Sequence, residues 1–117
     1  MTASKIVAAA ASGVGGAGLD VDEVFSTFLY TGNATTRNIQ NGVDLTEGGL
    51  VWTKCRNATD GHQLYDTERG VTKRLKSESS DAEGTDTNEV TAFNSNGYTL
   101  NQDGGGTNGN GNTYVSW

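Results

Sequence analysis

No proline interrupts this 117-residue chain, and only 33% of it is hydrophobic. Any core is therefore thin, and much of the polypeptide must be loop, turn or arm. There is a single cysteine, Cys55, so an intrachain disulfide is excluded, and with one histidine so is a Cys/His metal cage. A lone cysteine inside a strand pattern reads as a small buried hydrophobe. Positive charge is scarce: 8 basic residues face 14 acidic ones, for a net charge of −6. Nucleic-acid binding needs a concentrated basic footprint, which this balance does not supply. No stretch approaches the ~20 apolar residues of a membrane span. The start resembles a secretory signal, with Lys5 ahead of Ile6-Val7-Ala8-Ala9-Ala10-Ala11. That apolar block is shorter than the roughly 7–15 residues such a signal uses, so a signal peptide is not expected.

What is present is turn chemistry, with 17 glycines, and aromatic residues spread from Phe25 to Trp117 rather than bunched. The length suits one domain. The strongest strand pattern is Gly48-Gly49-Leu50-Val51-Trp52-Thr53-Lys54-Cys55-Arg56. Leu50, Trp52 and Lys54 alternate with Val51, Thr53 and Cys55, as a pleated strand requires. Trp52 can bury on the order of 200 Å² and is expected to be the centre of the core. Asn57-Ala58-Thr59-Asp60-Gly61 closes this strand, and 61–66 follows at hairpin distance.

Further strands are expected at 24–30, at 35–39 on the outside, at 71–76, at 89–93, at 97–100 and at 113–117. Asn41-Gly42 reads as a type I′ hairpin turn. Residues 77–88 carry acids without a base and read as a solvated loop. The Gly/Asn-rich 101–112 reads as a mobile loop. Apolar spacing of the helical kind is almost absent, and 19–25 alternates like a strand. The fold class is all-β: an antiparallel sandwich of the jelly-roll or concanavalin type. The core is expected to hold Phe28, Trp52, Leu64 and Phe93.

Residues 1–20 read as an extended Ala/Gly-rich arm ahead of a sandwich over 21–117. Glycine is costly to order, so such an arm becomes ordered mainly when another subunit holds it. Ile6, Val7, Val14 and Leu19 are its candidate contacts; a frayed terminus is the plainer alternative. Gly13-Val14-Gly15-Gly16-Ala17-Gly18 fits G-x-G-x-x-G but lacks the strand–turn–helix frame, and the acids after it would repel a pyrophosphate. No nucleotide or other cofactor is expected.

The groups that could carry chemistry are few. His62 and Asp66 share a strand face roughly 13 Å apart, too far for a dyad. No Ser sits in a G-x-S-x-G turn. Asp66 and Glu68 lack apolar neighbours that would raise a carboxyl pKa, and 65–70 reads instead as a polar corner in which Arg69 forks onto an acid and Gly70 bends the chain. Asp103-Gly104-Gly105-Gly106 and Asn108-Gly109-Asn110-Gly111 lack the alternating acids of a calcium loop. Asn33-Ala34-Thr35 and Asn57-Ala58-Thr59 are glycosylation sequons, informative only in a secretory pathway. No catalytic and no metal-binding residue is expected.

Several blocks carry a resemblance: 28–33 (FLYTGN), 41–45 (NGVDL), 48–54 (GGLVWTK), 66–70 (DTERG), 93–100 (FNSNGYTL) and the closing 114–117 (YVSW). In this order they resemble a domain recurrent in virion proteins of tailed phages, cyanophages among them. The resemblance spans about residues 22–117. It implies a non-enzymatic structural protein with a lectin- or concanavalin-like sandwich, located in the virion and on the tail rather than the capsid surface. It implies a tail-fibre or tail-associated role, with the arm anchoring the domain to a tail adaptor or nozzle, and homo-oligomers in the particle. The alternatives are a capsid decoration protein and a carbohydrate-binding adhesion module. The last would need exposed aromatic residues toward a host glycan, for which Tyr98, Tyr114 and Trp117 are candidates. The family's members continue past the final tryptophan, so the sandwich is expected to continue beyond Trp117.

Overall fold

The structure, a computed structural model, describes residues 18–102 and 105–117. The arm contacts Ile6, Val7 and Val14 lie outside the described residues; Leu19 lies within them and is half-buried. The described chain opens with a short helix, α1 (Val21–Val24), where the alternating pattern predicts a strand. Asp20 and Glu23 decide this locally: the Glu23 carboxylate accepts the Asp20 backbone N–H at 3.3 Å and ties off the helix start.

Nine strands follow: β1 (Phe28–Thr31), β2 (Arg37–Ile39), β3 (Leu50–Cys55), β4 (Gln63–Asp66), β5 (Lys73–Arg74), β6 (Gly84–Thr85), β7 (Val90–Asn94), β8 (Gly97–Leu100) and β9 (Thr113–Ser116). They form a four-stranded sheet ordered β1-β9-β3-β4, a three-stranded sheet ordered β2-β8-β7, and the small pair β5-β6. All pairings are antiparallel. Residues of the two larger sheets meet in one core: Tyr30, Val51, Cys55, Tyr65 and Tyr114 from one, Ile39, Val90, Tyr98 and Leu100 from the other. The molecule is an all-β antiparallel sandwich.

The β3–β4 hairpin stands where the sequence pattern puts it, with Leu50 opposite Asp66 and Thr53 opposite Gln63. The β7–β8 hairpin also stands, with Asn94 opposite Gly97. Gly97 has φ +152°, and a Cβ there would run into the Ile39 carbonyl, so only glycine lets β8 pass β2 so closely. Asn41-Gly42 is not a hairpin turn. β2 pairs with β8, and the Asn41 side chain instead accepts the Val43 N–H at 3.0 Å while Gly42 N–H reaches Asn96 O. The strand expected over 71–76 shrinks to β5, whose partner β6 lies inside the stretch expected to be loop.

The core differs from expectation at its centre. β3 does alternate, but Val51, Thr53 and Cys55 face inward, and Trp52 stands half-buried on the outer face. Leu64 is likewise half-buried and outward on β4, whose inward residues are Gln63 and Tyr65. Phe28 and Phe93 pack against the core as partly buried neighbours. Tyrosines occupy the middle: the Tyr30 and Tyr114 rings stack 5.2 Å apart. Burial pushes the hydroxyl pKa values of Tyr30, Tyr65, Tyr98 and Tyr114 upward.

Those tyrosines explain the Gly/Asn-rich loop. Tyr30 OH donates to Thr107 O at 2.7 Å, and Tyr114 OH donates to Gly105 O at 2.6 Å while accepting the Gly109 N–H at 2.7 Å. Asn108 is wholly buried. Its side-chain oxygen accepts the Asn33 N–H, and its NH2 donates to Thr35 O and Asn101 O. The described part of this loop is a folded plug on one end of the sandwich.

Candidate functional site: an apolar groove on the outer sheet face

The outer face of the four-stranded sheet carries a groove of about 470 Å³, lined by Val24, Phe25, Leu50, Trp52, His62 and Trp117. Each side chain arrives there for a local reason. Leu50 and Trp52 share the outward face of β3 by the two-residue strand period. Trp117 follows β9, where its backbone exchanges both hydrogen bonds with Trp52 at 2.8 Å. Val24 and Phe25 come from the end of α1 and the segment leading into β1. His62 precedes β4 and is held by its backbone N–H, which donates to the Glu78 carboxylate at 3.1 Å.

The aromatic geometry is ordered. The Trp52 indole N–H donates to His62 Nδ1 at 2.9 Å, and the two rings meet edge to face. Trp52 and Trp117 meet at 70° with centroids 5.9 Å apart. Phe25 is 51% exposed, Leu50 48% and Trp117 37%. Contiguous apolar patches of this kind are candidate contact surfaces. His62 spends its Nδ1 on an indole rather than on a carboxylate, so it has no base–orienter pairing of a catalytic kind through that atom.

The carboxylates weighed for chemistry lie elsewhere. Asp66 accepts the Arg69 backbone N–H and its guanidinium Nε, both at 2.7 Å. Those bonds, the backbone one first, hold the Asp66 carboxyl below its usual pKa. Arg69 also reaches Lys73 O, Leu64 O and the Glu83 carboxylate, and Gly70 turns at φ +98°. This is a structural corner. Among the described residues, no group of three or more His, Cys, Asp or Glu is placed to hold a metal ion. No helix of the described residues is long and apolar enough to cross a membrane.

Of the aromatic residues read as glycan-facing, Tyr98 and Tyr114 are fully buried and face the core, a correction forced by the stacking of the two sheets. Trp117 alone of them reaches the surface. Trp52, read as core, belongs to the groove. Val24, Phe25, Leu50 and His62 were not singled out as site residues by sequence. The pairing of Leu50 with Trp52 on one face was visible there, but not which face the second sheet would cover.

Fold and groove together define a small antiparallel β-sandwich domain with an exposed apolar groove on one sheet face. The chain belongs to a family described as a domain of unknown function, DUF7483, whose model matches residues 20–117. No curated protein matches the chain. No solved structure matches it either.

Proposed function

We propose that this chain is a structural protein of a tailed-phage virion, a tail-fibre or tail-associated protein that acts by docking rather than by catalysis. The observation that carries the reading is the groove. It is apolar, it is built on a rigid sheet, and α1 brings the N-terminal segment directly to its wall through Val24 and Phe25. Val24 and Phe25 thus put the start of the described chain against the surface proposed to hold a partner. The blocks that resemble phage virion domains support the setting, and they map onto strands and turns that build this sandwich. The partners are other virion proteins, a tail adaptor or nozzle first, and further copies of the chain.

Locating the protein in intact particles by cryo-electron microscopy tests the reading. Density on the tail is expected. Density over the capsid shell makes it a decoration protein instead, and absence from the particle overturns the virion role.

A second reading, carbohydrate binding, is favoured by one observation: Trp117 exposes its ring beside Trp52, and a pyranose stacks on such an indole face. Tyr98 and Tyr114 take no part in it. Glycan-array binding that disappears with Trp117→Ala would establish this role; an array without binders would remove it.

A further inference from the structure

His62 meets Trp52 in a way that only one charge state of the imidazole allows. An indole N–H is a donor and never an acceptor. Trp52 Nε1 donates to His62 Nδ1 at 2.9 Å, so that nitrogen must present a lone pair. The imidazole is therefore neutral, with its proton on Nε2. A second proton would place an N–H on Nδ1, and two donors would then face each other. The bond is abolished rather than weakened. An imidazolium is drawn to the face of an indole and not to its N–H edge, so the two rings cannot keep their present arrangement.

The surroundings offer the charged ring another partner. The Glu78 carboxylate already accepts the His62 backbone N–H at 3.1 Å. It lies against Gly61, where a Cβ would run into it. Its own backbone N–H first, then that of His62 and nearby charge, Lys76 included, hold the Glu78 carboxyl below its usual pKa. It is thus an anion throughout the range in which an imidazole titrates. Charges on the neighbouring elements are differently engaged. Lys54 shares the outward face of β3 with Trp52, but its ammonium donates to the Cys55 and Ala58 carbonyls. Asp66, outward on β4, is held by Arg69, and the Asp60 carboxylate lies toward Gly105. In α1, Glu23 accepts the Asp20 N–H and Asp22 is exposed, while the groove itself receives the apolar Val24 and Phe25.

We infer that the Trp52–His62 pair is a pH-sensitive latch on the groove, closed while His62 is neutral and released when its protonated ring turns to the Glu78 carboxylate. Trp52 is half-buried and meets both His62 and Trp117 edge to face, so freeing its indole remodels the aromatic wall. An imidazole changes charge between about pH 5 and 8, which sets the range of the latch. As a control on partner docking it rests on the reading of the groove given above; as a change within this chain it does not.

His62 is the one histidine of the chain, so every imidazole signal in a nuclear magnetic resonance spectrum belongs to it. Both tryptophans line the groove, so their emission reports on its wall. The test compares the full chain with a full-length His62→Asn variant, whose amide oxygen replaces Nδ1 as acceptor and does not titrate. In the parent, acrylamide quenching should rise about twofold from pH 8 to pH 5.5 at unchanged far-ultraviolet circular dichroism. In the variant it should be the same at both. A second measurement needs no substitution. At pH 8 the nitrogen spectrum of the parent should show Nδ1 bare and Nε2 protonated, and the Trp52 indole proton should shift with the midpoint of the imidazole ring. A proton on Nδ1 at pH 8, or an indole signal that does not follow the ring, overturns the latch. So does a rise in quenching that the variant shares or that accompanies loss of strand signal. No partner enters either measurement, so failure here leaves the virion reading standing, and a protein found outside the virion leaves the latch standing.

Discussion

The groove face and the Gly/Asn-rich loop exchange the burial that their compositions call for. The groove gathers Val24, Phe25, Leu50, Trp52 and Trp117, and leaves much of that apolar surface to solvent. The loop offers Thr107 and Asn108, and the fold buries both completely. Hydrogen bonding accounts for Asn108, whereas the buried Thr107 contributes only its carbonyl, to Tyr30 OH, and its hydroxyl is buried without a partner. Polar groups can be buried when each finds a partner, and Asn108 has donors and acceptors matched at both ends of its amide. No comparable constraint removes the groove's side chains from water. An interior position on this sheet goes to whichever face meets the second sheet, and a large indole on the other face is left outside. Apolar surface that the fold does not use is available to a partner.

If this contrast is sound, the largest loss of stability should come from the polar region rather than the aromatic one. Asn108→Ala empties a fully buried site and strands the part-buried Asn33 N–H and two carbonyls, where a fully buried group left without a partner would cost about 1–3 kcal/mol. A loss of about 3 kcal/mol or more is expected in denaturant unfolding. A variant within about 0.5 kcal/mol of the parent would show that the plug is dispensable.

Trp52→Ala should cost less, about 1–2 kcal/mol, because half-burial and one hydrogen bond to His62 are lost rather than a core site. A fully buried aromatic would cost about 3–5 kcal/mol. A loss in that upper range would restore Trp52 to the centre of the fold and break the comparison.

Asp66→Asn separates the structural corner from both regions by its pH dependence. The folded-state pKa of Asp66 is lowered, by the Arg69 backbone N–H first and then by its guanidinium. Its contribution is present above the unfolded pKa of about 3.9 and is lost as pH falls through the lower folded value. The stability gap between parent and variant should therefore be full at neutral pH and close as the solution is acidified below about pH 4. A gap independent of pH between 7 and 3 would assign the corner to packing instead.

The smallest effect on folding should be that of Trp117→Ala, about 1 kcal/mol by chemical denaturation, since it is 37% exposed and ends the described chain beyond β9. Its effect on binding should be the opposite. Loss of partner docking with near-parental stability would mark the groove as a surface kept for contact, whereas a large stability loss would make it part of the core.

Much of the sandwich was legible along the chain. The alternation in 50–55 places strand β3, the Asn96-Gly97 pair marks the β7–β8 turn, and Asp66, Arg69 and Gly70 identify their corner from local chemistry alone. The alternating pattern in 19–25 pointed to a strand, and the capping of α1 by Asp20 and Glu23 came only with the structure. The candidate groove was much less visible. Its residues come from α1, β3, the approach to β4 and the end of β9; the expected hairpin brings His62 near Trp52, but nothing in the spacing brings Val24 or Trp117 there.

What the sequence by itself determined was the local part: strand periodicity, turn positions, an acidic surface and the all-β class, because these follow from backbone sterics and neighbouring side chains. Only the tertiary structure decided which face of each strand is the inside. A period of two offers two faces, and the choice is made by long-range pairing, when β2-β8-β7 covers Val51 and Tyr65 and leaves Trp52 and Leu64 outside. The same long-range contacts turned the glycine- and asparagine-rich stretch from an expected mobile loop into a buried plug, since Tyr30, Asn33 and Tyr114 supply partners that no sequence neighbour could.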